Sequence, residues 1–269
     1  MAEMRKGFMM KKDSLVLATY NLRVPCDPPP YDWENRRDRV RKVVQDNRLD
    51  IYGVQEAVLF QLKDLLELET GNYAYIGGGR DDFRDAGEHS CILYRTDRLE
   101  LLAGGTFSLS EQPDVPGIRA WDAACPRCAT WGKFRDRLTG KEFCYCNTHL
   151  DHVGITARIK GIELVVSHAA ENAAGLPMIL SGDFNVKPDS ETYRAAAALL
   201  RDSACISETG HTGADITFHG FGKAKNPCLI DYIFVSDGIR VLRHWTDATM
   251  PDGDYASDHH PVIAELQIG

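Results

Sequence analysis

Two short runs in the second half of the chain carry side chains that can do chemistry together: Ser181-Gly182-Asp183-Phe184-Asn185 and Ser257-Asp258-His259-His260-Pro261. Each sets a carboxylate beside an amide or an imidazole at the tip of an apolar, strand-like stretch. Asn21, Gln55-Glu56, Asn147-Thr148-His149 and Asp231 stand at similar tips. Hydrolysis of a phosphate ester needs three things. Charge on the non-bridging oxygens must be offset, a water oriented or deprotonated, and the leaving oxygen stabilised. A hard divalent cation prefers oxygen ligands and serves the first and third needs. This residue set matches that chemistry.

Glu56 and Asn21 are the cation candidates, each ending an apolar strand, where turn or cap duty is the ordinary alternative. Asp183 and Asn185 lie two apart, so an extended backbone would aim both to one side. They would act as a water-activating base beside an uncharged oxyanion donor, with an Asx-turn as the purely structural alternative. Asp258 and His259 form a second such pair. A histidine oriented by a buried carboxylate keeps one tautomer and gains basicity, and Asp231 is the partner expected for it.

The elements that must hold these tips follow from pattern. Apolar runs at 14–21, 51–55, 73–76, 90–94, 99–109, 129–136, 142–148, 178–180, 229–235, 239–244 and 262–266 predict strands. A Thr139-Gly140 turn joins two of them as a hairpin. Helices are expected at 33–46, 59–68, 155–170 and 190–200. Asp32 is placed to cap the first, whose inner face is Trp33, Val40, Val43 and Val44. The polar, glycine-bearing tract 202–222 reads as a rim loop. Helices and hairpins mixed from end to end predict α/β or α+β layers with mixed sheets. One domain, 13–269, would follow a disordered tail, 1–12.

Composition sets outer bounds. The 269 residues are 43% apolar and 26% charged, ordinary for a soluble globular chain. A net charge of −8 and a pI near 5.6 argue against a strongly basic nucleic-acid-binding surface. They leave a nuclease open, because a bound cation neutralises phosphate locally. No run reaches the ~18 apolar residues that span a membrane, and the N-terminus lacks a signal-peptide core. Eight cysteines in this length make no disulfide scaffold and point to a reduced, cytoplasmic setting. Cys125-Pro-Arg-Cys128 and Cys144-Tyr-Cys146 raise a zinc knuckle, but the second pair is spaced too tightly. Buried free thiols are the expectation.

Six motifs appear in one order: Thr19-Tyr20-Asn21, Gln55-Glu56, Asn147-Thr148-His149-Leu150, Gly182-Asp183-Phe184-Asn185, Ile230-Asp231-Tyr232 and Ser257-Asp258-His259. In these the chain resembles the endonuclease/exonuclease/phosphatase superfamily, the DNase I-like fold, from about Leu15 to Leu266. The resemblance implies a four-layer α/β sandwich: two mixed sheets face to face, helices outside, the active site at one end. It implies that Glu56 ligates Mg²⁺ or Mn²⁺ with Asn21 close by, and that Asp258 completes a metal site. His149 would contact the scissile phosphate. Asp183 would orient or deprotonate the attacking water, Asn185 would bind phosphoryl oxygens, and His259 would stabilise developing charge while paired with Asp231.

Departures narrow the substrate a little. Abasic-site endonucleases of this fold carry an acidic residue two positions after the first Asn, where this chain has Arg23, and they lack the histidine present here as His149. Stretches 33–36, 79–82 and 127–131 look like a bacterial subgroup of poorly defined substrate. Arg80 and Arg127 are candidate substrate-phosphate contacts, since guanidinium binds phosphate bidentately; surface ion pairs are the alternative. Trp121 and Trp131 could stack a base but suit core or rim better, and His152 either lines the cleft or stands beside it. The reading is a Mg²⁺- or Mn²⁺-dependent phosphoesterase acting by in-line attack of water on a phosphodiester, as a nuclease or phosphodiesterase. The alternative is a phosphomonoesterase acting on a small or lipid-derived phosphate. A non-catalytic binding module fits less well, because every catalytic position holds a competent residue. The implied partner is the phosphate-ester substrate; no protein partner is evident.

Overall fold

A computed structural model describes residues 13–68 and 72–269. The expected tail, 1–12, lies outside the described residues. In chain order the elements are β1 (Leu15–Asn21), α1 (Trp33–Asp46), β2 (Ile51–Gln55), α2 (Leu59–Leu68), β3 (Tyr73–Ile76), β4 (Ile92–Arg95) and β5 (Leu99–Ser108). Then come β6 (Cys128–Asp136), β7 (Glu142–His149), α3 (Ile155–Ala173), β8 (Met178–Asp183) and α4 (Glu191–Ala197). The chain closes with β9 (Arg201–Asp202), α5 (Ser203–Ile206), β10 (His211–Gly213), β11 (Asp231–Val235), β12 (Ile239–Thr246) and β13 (Val262–Ile268).

The strands form two mixed sheets, one ordered β10-β12-β13-β1-β2-β4-β3 and one ordered β5-β6-β7-β8-β11-β9. Period-two alternation builds the layers. On β1, Leu15 and Leu17 meet Phe134, Tyr145, Ile179 and Ile233 of the other sheet. Val16, Ala18 and Tyr20 turn the opposite way, onto Trp33, Val40 and Val44 of α1 and Leu62 and Leu65 of α2. Ile162, Val165 and Ala169 of α3 pack on Cys144, Cys146, Leu180 and Phe234. The result is the four-layer α/β sandwich that the resemblance implied.

Between the sheets, below the site end, lies a buried polar clamp. The Gln55 amide donates to Thr19 Oγ1 (2.9 Å) and Asn147 Oδ1 (2.7 Å). Asn147 in turn donates to the carbonyls of Val54 (2.9 Å) and Cys91 (3.0 Å). Gly53 is required here, because a Cβ would sit 2.3 Å from Asn147 Oδ1. Gln55 Oε1 lacks a partner there, but the bonds made tie β2 to β1 and β7 and hold the two sheets in register. Gln55 and Asn147, both motif residues, thus support the site from beneath.

Several expectations need correction. Asp32 sits at the N-cap of α1, yet its side chain caps nothing and accepts from Asn35 Nδ2 instead. The inner face of α1 also includes two buried arginines, Arg36 and Arg39. Arg36 donates to the carbonyls of Tyr31, Leu22, Arg23 and Ala256, so each guanidinium nitrogen is satisfied and the desolvation cost is offset. Part of the tract read as a rim loop is regular: α5 and β10 lie within it. Trp131, half-buried, packs against the α3 layer, as the core-or-rim reading has it. Cys128, Cys144 and Cys146 are buried free thiols, and among the described residues the cysteine pairs form no zinc cluster. No helix among the described residues is long and apolar enough to cross a membrane.

Candidate active site

Strand pairing gathers the site. Asn21 pairs with Gln55 across parallel β1 and β2. In the second sheet Asp183 on β8 lies between His149 of parallel β7 and Asp231 of antiparallel β11. Face-to-face packing then brings the two sets of tips together. The Asn21 amide bridges the sheets, donating to Glu56 Oε1 and to Asp183 Oδ2, each at 3.0 Å. Ser257 Oγ donates to the Asn21 carbonyl (2.6 Å) and holds the last loop against the first strand.

Asp183 is 2% exposed. Its Oδ2 lies 3.5 Å from His149 Nε2 and 3.9 Å from His259 Nε2. Burial, then the charge of Asp231, pushes its carboxyl upward, against the pull of His259 and of the donors Asn185 N–H and Asn21 Nδ2. For His259, burial alone would disfavour the cation. The Asp231 carboxylate, at 2.9 Å from Nδ1, with Asp183 and Asp258 behind it, raises the imidazole to about 10. His259 is therefore an imidazolium at neutral pH. His149 goes the other way, held well below its ordinary value by burial and by Arg127, His259 and Arg80. Asn185 Nδ2, which can only donate, lies 3.0 Å from His149 Nε2, so that nitrogen accepts and the neutral ring carries its proton on Nδ1.

The extended backbone expected over Asp183 and Asn185 is not what aligns them. Asn185 has φ +53°, and Asp183 Oδ1 accepts from its N–H at 2.9 Å. The Asx-turn and the site are one structure: the turn lifts the Asn185 amide beside His149. Glu56 likewise leaves its strand at φ +60°. Its oxygens take Asn21 Nδ2 and Val24 N–H, and despite burial these bonds and the charges of His259 and Arg23 hold the carboxyl low.

A second group lines one wall. Arg80, Glu88, Ser90, Arg127, Cys128 and His149 line a narrow cleft, closed to a water-sized sphere as these side chains stand. Glu88 holds Arg80 at 2.8 Å, and Asp151 lies 3.4 Å from Arg127 Nε. Arg127 Nη2 donates to His152 Nδ1 at 3.0 Å. Arg80 arrives on a tightly folded loop, where a Cβ on Gly79 would lie 2.0 Å from the Ala86 carbonyl. Sequence reasoning placed both arginines here and left His152 open. It missed Asp151, although the spacing Asp151-His152 directly after Asn-Thr-His-Leu was a usable signal. A larger pocket of about 340 Å³, between Tyr75 and Thr106, contains none of these residues.

The resemblance implies a divalent cation, and the donor set fits one. Ligand atoms of Glu56, His149 and Asp183 lie within 4.8 Å of one another. The two carboxylates supply hard oxygen donors suited to Mg²⁺ or Mn²⁺, while Asn21 turns its NH₂ to both of them and its Oδ1 to Arg23 N–H. Added positive charge would also relieve the crowding that disfavours ionised Asp183. Asp258 lies outside that group, with Oδ2 at 3.8 Å from Arg23 Nε. Arg23 itself is bound to Asp27 at 2.9 Å and lies 3.9 Å from Glu56. A fixed cation thus stands where the abasic-site enzymes place a carboxylate.

The sequence profile of the Endonuclease/Exonuclease/phosphatase family matches residues 18–259. The chain belongs to that family. A family member from Bacteroides vulgatus is 38% identical, covering 96% of this chain and 100% of its own, with a TM-score of 0.90. A mannosyl-6-phosphatase from Bacteroides thetaiotaomicron is 39% identical over 94% of this chain and 99% of its own, TM-score 0.86. Among curated relatives, Nocturnin of Drosophila melanogaster is 26% identical over 91% of this chain. The chain spans 44% of that relative's length.

Proposed function

We propose that the protein is a Mg²⁺- or Mn²⁺-dependent phosphoesterase that hydrolyses its substrate by direct attack of water. One observation carries this reading: a single carboxylate, Asp183, lies within 4 Å of Asn21, His149 and His259 at the meeting of two sheets. Glu56, with Asn21 close by, would hold the cation, which would offset phosphate charge and stabilise the leaving oxygen. Asp183 orients the water and takes its proton, a role suited to a carboxyl whose affinity for protons is raised. His259, charged and fixed by Asp231, donates to the phosphoryl oxygen as charge builds. Neutral His149 and the Asn185 amide add a contact and a donor without adding charge.

The sequence alone favoured a phosphodiester. The basic wall supports the other ester class, a terminal phosphate monoester. Two carboxylate-held guanidinium groups stand on one wall beside His149, an arrangement suited to a dianion. A relative of 39% identity acts, by its name, on a mannosyl 6-phosphate. The buried free thiols support a reducing, cytoplasmic setting. The test is hydrolysis of a chromogenic monoester, a chromogenic diester and mannose 6-phosphate with Mg²⁺, Mn²⁺ and EDTA. Metal-dependent turnover favouring monoesters is the expected result. Faster diester turnover would return the reading to a phosphodiesterase, and turnover undiminished by EDTA would remove the cation from it.

A further inference from the structure

Asp151 has no part in the chemistry above, yet it is 1% exposed and has more polar partners than any other carboxylate beside the cleft. Its Oδ1 accepts the N–H groups of Val153 (2.9 Å) and Gly154 (2.8 Å). Its Oδ2 accepts Ala124 N–H (3.1 Å) and faces Arg127 Nε (3.4 Å) and Cys125 Sγ (3.8 Å). One side chain therefore joins the segment entering β6 to the turn entering α3. Arg127, 7% exposed, is held on one edge by Asp151 and on another by His152 Nδ1. Arg127 lines one narrow cleft with Arg80 and His149.

We propose that Asp151 is a positioning residue for substrate phosphate: through Arg127 and His152 it fixes a guanidinium–imidazole pair on the basic wall of the cleft. The inference rests on the phosphoesterase reading and deepens it by naming what recognises the non-reacting oxygens. A planar guanidinium carries five donors in a fixed fork. Clamping Nε and one Nη leaves the others aimed one way, which lowers the ordering cost of binding an anion. His152 Nδ1 accepts from Arg127, so its proton is on Nε2, a further donor. Ligand atoms of Cys125, Asp151 and His152 also lie within 4.8 Å of one another. A metal there would face the Arg127 guanidinium and displace backbone donors already bound, so the geometry favours the arginine.

The test is a double-mutant cycle read by calorimetric binding of inorganic phosphate to the metal-loaded protein. Asp151→Asn sets an amide NH₂ against two donors, Ala124 N–H and Arg127 Nε, and should weaken phosphate roughly tenfold, as loss of a charge-assisted contact does. Arg127→Ala should cost about as much, and the double variant little more than either, because coupled residues are not additive. With a turned-over substrate the loss falls on KM more than on kcat. Arg127→Lys gives a second route if Asp151→Asn does not fold. It keeps the charge but cannot hold both anchors, and should lose nearly as much as Arg127→Ala. Full additivity, or full affinity in Arg127→Lys, would overturn the proposal. Wild-type turnover tests the phosphoesterase reading separately: coupling without turnover leaves this inference standing and sinks that reading.

Discussion

The two walls of the cleft are built differently. The acidic wall, Asn21, Glu56, Asp183 and Asp231 with His259, comes from strand tips whose register is set by two sheets and the Gln55–Asn147 clamp beneath. The basic wall, Arg80, Arg127 and His152, comes from connections, and each arginine there is held by its own carboxylate. The difference separates two tasks. Bond breaking demands atoms fixed to fractions of an ångström, which paired strands supply. Recognition demands a surface that can differ between substrates, which loops on a rigid scaffold supply. The histidines follow the division: His259 is held charged by the acidic wall, and His149 neutral by burial and then by the arginines of the basic one.

Changes to the acidic wall should remove turnover. Asp183→Asn is expected to lower kcat by roughly 10³-fold or more, about 4 kcal/mol of barrier, with the fold retained by circular dichroism. Near-normal turnover would remove Asp183 from the chemistry.

Asp231→Asn should cost roughly 10²-fold and also change the pH profile. His259 must be protonated to act, and its folded value is raised to about 10, so activity should persist to alkaline pH and fall as pH climbs through that value. Without the Asp231 charge the alkaline limb should move toward lower pH. A limb that stays in place would mean another group sets it.

Changes to the basic wall should act on binding instead. Arg80→Ala is expected to raise KM for a monoester by roughly tenfold while changing kcat less, with a smaller effect on a diester. Equal losses for both ester classes would show that the wall does not read the second phosphate charge.

The smallest effect on catalysis, and a clear one on stability, belongs below both walls. Asn147→Leu removes a donor from the Val54 and Cys91 carbonyls and the acceptor of the buried Gln55 amide, and should cost about 3 kcal/mol in urea unfolding. A loss confined to kcat would move Asn147 from support to chemistry.

Much of the acidic wall was legible because its signals are local. An apolar run alternating along β1, or ending at Glu56 or Asp183, marks a strand tip wherever the strand is placed. Helix α1 was bounded correctly at 33–46 by its spacing. Hydrophobic pattern could not show that Arg36 is fully buried inside α1, because the carbonyls that satisfy it include one 220 residues away, on Ala256. The Asn185 geometry was hidden for another reason: a left-handed residue looks the same in sequence whether or not it serves a site.

The sequence by itself determined the family, the layers and the chemical types at each tip, since strand period, turn chemistry and motif order are properties of short segments. Only the tertiary structure decided that the Asn21 amide joins Glu56 to Asp183, that Gln55 and Asn147 brace the sheets, and that Asp151 meets Arg127 across 24 positions. Those contacts depend on how loops close and sheets pack, and on the desolvation that packing imposes. Desolvation and neighbouring charge, not residue type, are what make one histidine of the cleft an acid and the other a neutral contact.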